Sequence, residues 1–354
     1  MPLRARILAF SLALSFLVIP LPVSALSTQP SVSASSAILI DGASGRVLFE
    51  KNSSVPMKPA STTKIMTALV ALEHGDLEKT VSVDPRAVGV EGSSVYLNAG
   101  ERLTLSELIY CLMLASANDA AAAIAYEIAG GIPEFAELMN EKAQKLGLFS
   151  THFENPHGID AEGHYTTAAD LARLTFFALQ NEKFAEIVAT KRRVIGTDLA
   201  SRSLSNHNRL LLSYKGCIGV KTGFTKASGR CLVSAAKREN LTLIAVTLRA
   251  PDDWNDHRTM LDYGFEHYRA EQLCSAGQRF YEMPVVSGEK GRVFCVAEKD
   301  VFLTLARELS GITYVVECQR FLFSLPRAGS VGGRVVFYRD GKEVAQTRLL
   351  YYIM

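Results

Sequence analysis

"KPASTTKIMTALVALEHGDL", residues 58–77, supports two readings at once. Ile65, Leu69 and Leu72 recur at helical spacing, so Ser61 reads as the N-cap of an amphipathic helix. The same spacing sets Lys64 one turn on, on the face of Ser61 and within reach of its hydroxyl. A serine hydroxyl is a poor nucleophile until a base takes its proton. A lysine supplies that base only when its amine is neutral, which calls for burial or a neighbouring positive charge. A helix N-terminus also favours negative charge at that point. Cap and nucleophile therefore coincide on Ser61. The pattern alone is weak, because Ser287-Gly-Glu-Lys290 repeats it in Gly-bearing, β-rich sequence where helical spacing has no meaning.

Two later motifs supply what a serine–lysine pair lacks. Ser116-Ala-Asn118 falls at the break between two helical patterns, where a hydroxyl and an amide two residues apart can face one cleft. Ser116 suits proton relay and Asn118 suits holding a substrate amide; read alone, Asn118 or Asp119 is simply a helix cap. Lys221-Thr222-Gly223 lies in a strand-like run. Lys221 offers a positive charge and Thr222 a hydroxyl to a substrate carboxylate. Gly223 lets an extended peptide approach the strand edge, whose N–H groups suit an oxyanion. Lys221 is also the second cation that would keep Lys64 neutral. Taken together the parts make an acyl-transfer site for a substrate with a free carboxylate.

The surrounding pattern gives the architecture. "AILIDGASGRVLFEKN" reads as a hairpin. "LTLSELIYCLMLA" is a helix with Thr104 as cap and Glu107 three residues on. "NDAAAAIAYEIAGG" is a helix stopped by Gly130 and Gly131, and "IPEFAELMNEKAQKLGL" starts with Pro133 in its first turn. A further helix opens at Thr167 with Asp170 three on. "CIGVKTGFTKASGRCLVSAAKRENLTLIAVTLRA" supplies strands around two turns, and "NDHRTMLDYGFEHYRA" closes the region as a helix. Strands come from both ends and helices from the middle, so the expectation is an α+β domain over 37–272 with a mainly antiparallel sheet. Residues 273–354 turn β-rich, with a hairpin at Asp340-Gly341, and read as a small separate all-β domain.

Residues 1–25 begin basic, continue as an apolar run broken by Pro20 and end in "VSA". They read as a secretory signal cut after Ala25, followed by a flexible Ser-rich lead over 26–36. An uncleaved membrane anchor is the alternative reading of the same run. The formal charge of +2 falls to about zero once Arg4 and Arg6 leave with the signal, so neither nucleic acid nor an anionic surface is expected as partner. The six cysteines have no metal-type spacing, and neither metal nor cofactor is expected. Cys217 and Cys231 flank the third motif as candidate neighbours across a hairpin.

The set Ser-x-x-Lys, Ser-x-Asn and Lys-Thr-Gly is the one known from β-lactamases and penicillin-binding proteins. "PASTTKIMTAL", "LMLASANDAA", "NPHGID", "HYTTAADLA", "GVKTGFTKASGRCLVSAA" and "MLDYGF" resemble, in order, the blocks of the low-molecular-mass penicillin-binding proteins that are D-alanyl-D-alanine carboxypeptidases. The resemblance runs from about Ala37 to Tyr268, and more weakly beyond. It implies a DD-peptidase/β-lactamase-like fold and removal of the terminal D-Ala from peptidoglycan stem pentapeptides, with β-lactams as acylating mimics. Ser61 would be the nucleophile, Lys64 its base and Ser116 a proton relay. Asn118 would bind the substrate backbone, Lys221 and Thr222 its carboxylate, and the amides of Ser61 and Phe224 the oxyanion. His157 would lie beside the site, or be a loop histidine; His164 would support the loop.

Three features depart from relatives. Ala117 stands in the second motif where those β-lactamases carry Asp. Phe224 follows Lys-Thr-Gly where some relatives have His. No amphipathic helix follows the β-rich region, so no C-terminal membrane anchor is expected. "FENPH" around Glu154 does not match the deacylating-glutamate context of β-lactamases, which weighs against that activity.

Overall fold

A computed structural model describes residues 29–354 apart from 197, 198, 200, 288–290 and 308–310. The expected signal segment, and three residues of the second Ser-x-x-Lys copy, lie outside the described residues.

The first hairpin is β1 (Ser36–Asp41) with β2 (Val47–Lys51). The longer helices that follow are α1 (Lys64–His74), α2 (Leu105–Leu114), α3 (Asn118–Ala129), α4 (Ile132–Lys145), α5 (Ala168–Ala178) and α6 (Glu182–Ala189). The chain then returns to the sheet as β3 (Cys217–Thr225), β4 (Gly229–Arg238) and β5 (Leu241–Leu248), and α7 (Asp253–His267) closes this part. The five strands run antiparallel in the order β2-β1-β5-β4-β3, so the first hairpin docks beside the last strand of the second group. This is the expected α+β layout.

Alternation along β1 shows why the sheet needs cover on both faces. Ile38 and Ile40 point into the core shared with α1, α2, α3 and α5, whereas Leu39 packs with Met260, Leu261 and Phe265 of α7. In α3 the run Ala120–Ala123 is buried, its small side chains letting neighbouring helices approach closely. Local signals fix the helix ends. Thr104 and Glu107 form a reciprocal capping box, and Thr167 Oγ1 accepts the amide of Asp170. Gly130 closes α3 at φ +77°.

Residues 29–36 are not a loose lead. Val32 and Ala34 are buried, and the Asp256 carboxylate accepts from the amides of Ser33 (2.7 Å) and Ala34 (2.9 Å). A carboxylate in the first turn of α7 thus pairs backbone donors that precede β1, which a Ser-rich composition gives no hint of.

Beyond α7, the strand Tyr268–Cys274 spans the boundary expected at 273 and pairs with Val301–Ala306. A second five-stranded antiparallel sheet takes the order 279–283, 293–297, 342–353, 331–339, 312–318. Val293, Cys295, Val335, Phe337 and Leu349 form its core. Asp340 and Gly341 both take positive φ, as a two-residue hairpin turn requires. Among the described residues no helix is long and apolar enough to cross a membrane.

Candidate active site

Ser61 does not cap a helix. It sits in a 3₁₀ turn, Ala60–Thr63, and α1 begins only at Lys64, with no side-chain cap bond at either start. Ala60 at φ +49° makes the entry sharp. The turn is held from two sides by glycines. A methyl on Gly158 would lie 1.9 Å from Ala60 O, and one on Gly223 would lie 3.0 Å from the Ser61 amide nitrogen. Gly223 therefore makes room for the backbone of the Ser61 turn. Thr62 Oγ1 donates to Pro59 O (2.7 Å), and Thr67 Oγ1 donates to Pro156 O (2.5 Å), tying α1 to the 153–166 loop.

With the hydroxyl released from capping, Ser61 Oγ lies 2.9 Å from Lys64 Nζ. Nζ also lies 2.7 Å from Asn118 Oδ1 and 2.6 Å from the carbonyl oxygen of His157. The Asn118 amide is oriented by its Nδ2, which donates to Glu91 O, so its oxygen must face the lysine. Lys64 is fully buried, and its pKa lies well below the ordinary lysine value; burial is the main cause and the charge of Lys221 the next, with Asp119 opposing. A neutral amine has two N–H donors and one lone pair. Asn118 Oδ1 and His157 O take the donors, which leaves the lone pair for the Ser61 proton.

His157 thus serves Lys64 through its backbone. Its ring Nδ1 accepts from the amide of Ile159 (3.3 Å), and burial lowers its pKa to about 3, so the imidazole is neutral. His164 supports the loop as expected: Nδ1 accepts from the Glu154 amide, which leaves Nε2–H to donate to Thr63 Oγ1 at 2.8 Å. Glu154 itself faces His152 (3.4 Å) and Gly163.

Ser116, at φ +58° between α2 and α3, lines the cleft beside Ser61. The N-cap of α3 is Ala117, without a side-chain cap bond, so neither Asn118 nor Asp119 caps that helix. Asp119 instead accepts from Ser94 Oγ (2.6 Å) and the amide of Leu97 (3.0 Å). Arg202, on a hairpin of 192–196 with 201–205, binds Glu101 and the carbonyl of Val95. These contacts hold the 93–97 loop over the site. Nothing local in the sequence marks Asp119, Glu101 or Arg202 for this, because each partner is remote.

Lys221 is 1% exposed and its ammonium donates to Thr222 O at 3.0 Å; burial lowers its pKa to about 7. Thr222, Gly223 and Phe224 line the cleft with Ser61. Cys217 lies opposite Ala236 and Cys231 opposite Gly223, so these two thiols do not face each other across the hairpin, and both are free.

A serine at the cleft paired with a buried lysine at the foot of a helix, an asparagine fixing the lysine, and a Lys-Thr-Gly strand along the cleft define a penicillin-binding serine peptidase. The D-alanyl-D-alanine carboxypeptidase family model matches residues 24–252, and the chain belongs to that family as a low-molecular-mass penicillin-binding protein and serine-type hydrolase. D-alanyl-D-alanine carboxypeptidase DacF of Bacillus subtilis is 32% identical over 325 residues, covering 89% of this chain and 84% of that one. DacA of Escherichia coli K12 is 33% identical, with 91% and 83% covered. Penicillin-binding protein 5 of Haemophilus influenzae superimposes with a TM-score of 0.73 at 29% identity, over 92% of this chain and 98% of that structure.

Proposed function

We propose that the protein is exported, its first 25 residues being removed, and trims peptidoglycan stem pentapeptides by releasing the terminal D-Ala through a Ser61 acyl-enzyme. The observation that carries this is the 2.9 Å approach of Lys64 Nζ to Ser61 Oγ in a buried setting that holds the amine's pKa well below the ordinary lysine value. Lys64 takes the hydroxyl proton as Ser61 Oγ attacks the penultimate D-Ala carbonyl. The amides of Ser61 and Phe224 bind the oxyanion. Ser116 passes the proton to the departing amine, and Asn118 holds the substrate backbone. The terminal carboxylate lies toward Thr222, within the field of Lys221. Water then cleaves the ester and frees Ser61. β-Lactams acylate the same hydroxyl, and the placement of Glu154 against His152 and Gly163 supports slow release. Residues 273–354 form a second folding unit that carries none of the reacting groups.

Incubation with a peptide ending in D-Ala-D-Ala, and separately with benzylpenicillin, tests this by D-Ala release and intact mass. The expected result is released D-Ala and a long-lived adduct on Ser61, both lost in Ser61→Ala. An adduct without D-Ala release would overturn the carboxypeptidase reading, and rapid penicillin turnover would replace it with a β-lactamase.

A further inference from the structure

Strand geometry separates Lys221 from Arg230, which lines the cleft together with Arg209. In the β3–β4 pair, Thr222 lies opposite Leu232 and Phe224 opposite Arg230. Opposed residues share a face, and side chains alternate along a strand. Thr222, Phe224 and Arg230 therefore stand on one face, and Lys221 points to the other. Thr222 and Arg230 are diagonal neighbours, about 7–8 Å apart at such a step. A carboxylate group fits between a hydroxyl and a guanidinium at that separation. Both residues line the half of the cleft that reaches Ser61.

Arg230 is also held ready. Asp253, the first residue of α7 and 5% exposed, accepts from Arg230 Nε at 3.0 Å and from the amide of Trp254 at 3.0 Å. That contact uses the Nε edge; the Arg230 side chain as a whole is 45% exposed, and its terminal nitrogens can take a second, planar acceptor. Lys221, by contrast, is buried and already donates to a backbone carbonyl.

We propose that Arg230 is the specificity-determining cation for the substrate's C-terminal carboxylate. Thr222 donates alongside it, and Asp253 is the positioning residue for the guanidinium. Lys221 then acts from behind the strand through its charge, on Lys64 and on the site's field, without contacting the substrate. The assignment rests on the carboxypeptidase reading and deepens it.

The test compares kcat/KM for a peptide ending in D-Ala-D-Ala with that for the same peptide carrying a C-terminal amide. Wild type, Arg230→Gln, Arg230→Lys and Asp253→Asn are measured on both. Arg230→Gln should lower the free-acid value about 10- to 100-fold, the range carried by a hydrogen bond to a charged group, so that the acid-to-amide ratio collapses toward one. Arg230→Lys should keep part of the ratio, and Asp253→Asn should fall between. Equal losses on acid and amide would reduce the Arg230–Asp253 pair to a structural tie between β4 and α7, and an unchanged free-acid value would remove Arg230 from recognition. If the wild type releases no D-Ala from either peptide, the carboxypeptidase reading fails by itself. The rate of Ser61 acylation by benzylpenicillin against its methyl ester then decides Arg230 by the same ratio.

Discussion

Gly223 and Ser61 are in backbone contact: a methyl on Gly223 would stand 3.0 Å from the Ser61 amide nitrogen and 3.1 Å from Thr62 N. The strand that carries Lys-Thr-Gly thus serves as a wall against which the nucleophile's turn is seated. Any side chain there must push the turn by a few tenths of an ångström. Gly223→Ala should therefore slow acylation by benzylpenicillin about tenfold or more, since small misplacements of reacting groups are costly in rate. Its thermal midpoint should stay close to wild type. A normal acylation rate in the folded variant would show that the contact is incidental.

Gly158 meets the same turn from behind, and much more tightly. It takes φ +83°, and a methyl would lie 1.9 Å from Ala60 O and 2.9 Å from Thr63 Oγ1. Both the backbone conformation and the space exclude a side chain. Gly158→Ala should cost on the order of 3 kcal/mol or more in urea unfolding, well beyond Gly223→Ala. Equal stabilities would contradict the tight packing of the 153–166 loop on α1.

Lys221 lowers the pKa of Lys64, second only to burial. Removing that charge raises the Lys64 pKa, so less of the amine is neutral at a given pH. Lys221→Met should move the acid limb of the acylation profile to higher pH, whatever it does to the plateau. Normalised rates of benzylpenicillin acylation across pH measure this directly. A limb that stays in place would mean burial alone neutralises Lys64.

What the sequence made legible was local. The Ser61–Lys64 spacing, the Thr104 and Thr167 caps, the Asp340-Gly341 turn and the hairpin of β1 with β2 depend on residues a few positions apart. The roles that a local reading does not reach depend on contacts between distant segments. Gly223 resembles a glycine at a strand edge until the Ser61 turn is seen against it. Asp256 lies in a helix, and only the fold brings it to the amides of Ser33 and Ala34. Lys221 and Thr222 are neighbours in sequence and read as one carboxylate site. A two-residue side-chain period puts them on opposite faces. Arg230 has no motif around it, and only the register of β3 with β4 reveals it.

His257 offers a test of buried histidine at acid pH. It is fully buried on α7, with Nδ1 2.6 Å from Ser234 Oγ and Nε2 2.9 Å from Thr247 Oγ1, so it joins the helix to β4 and β5. Burial lowers its pKa to about 3. The folded protein keeps the ring neutral where the unfolded chain, titrating near the ordinary 6.5, takes up a proton. Stability contributed by the neutral ring is therefore complete above about pH 6.5 and declines as pH falls toward 3. The slope is about 1.4 kcal/mol per pH unit for one such histidine. His157, lowered to about 3, and His164, lowered to about 4, act in the same direction. His257→Gln should be less stable than wild type at pH 7, yet lose stability less steeply between pH 6 and 4. Urea unfolding followed by the fluorescence of Trp254, the single tryptophan, reports on this part of the molecule. Parallel pH dependences in the two proteins would show that His257 is protonated in the folded state.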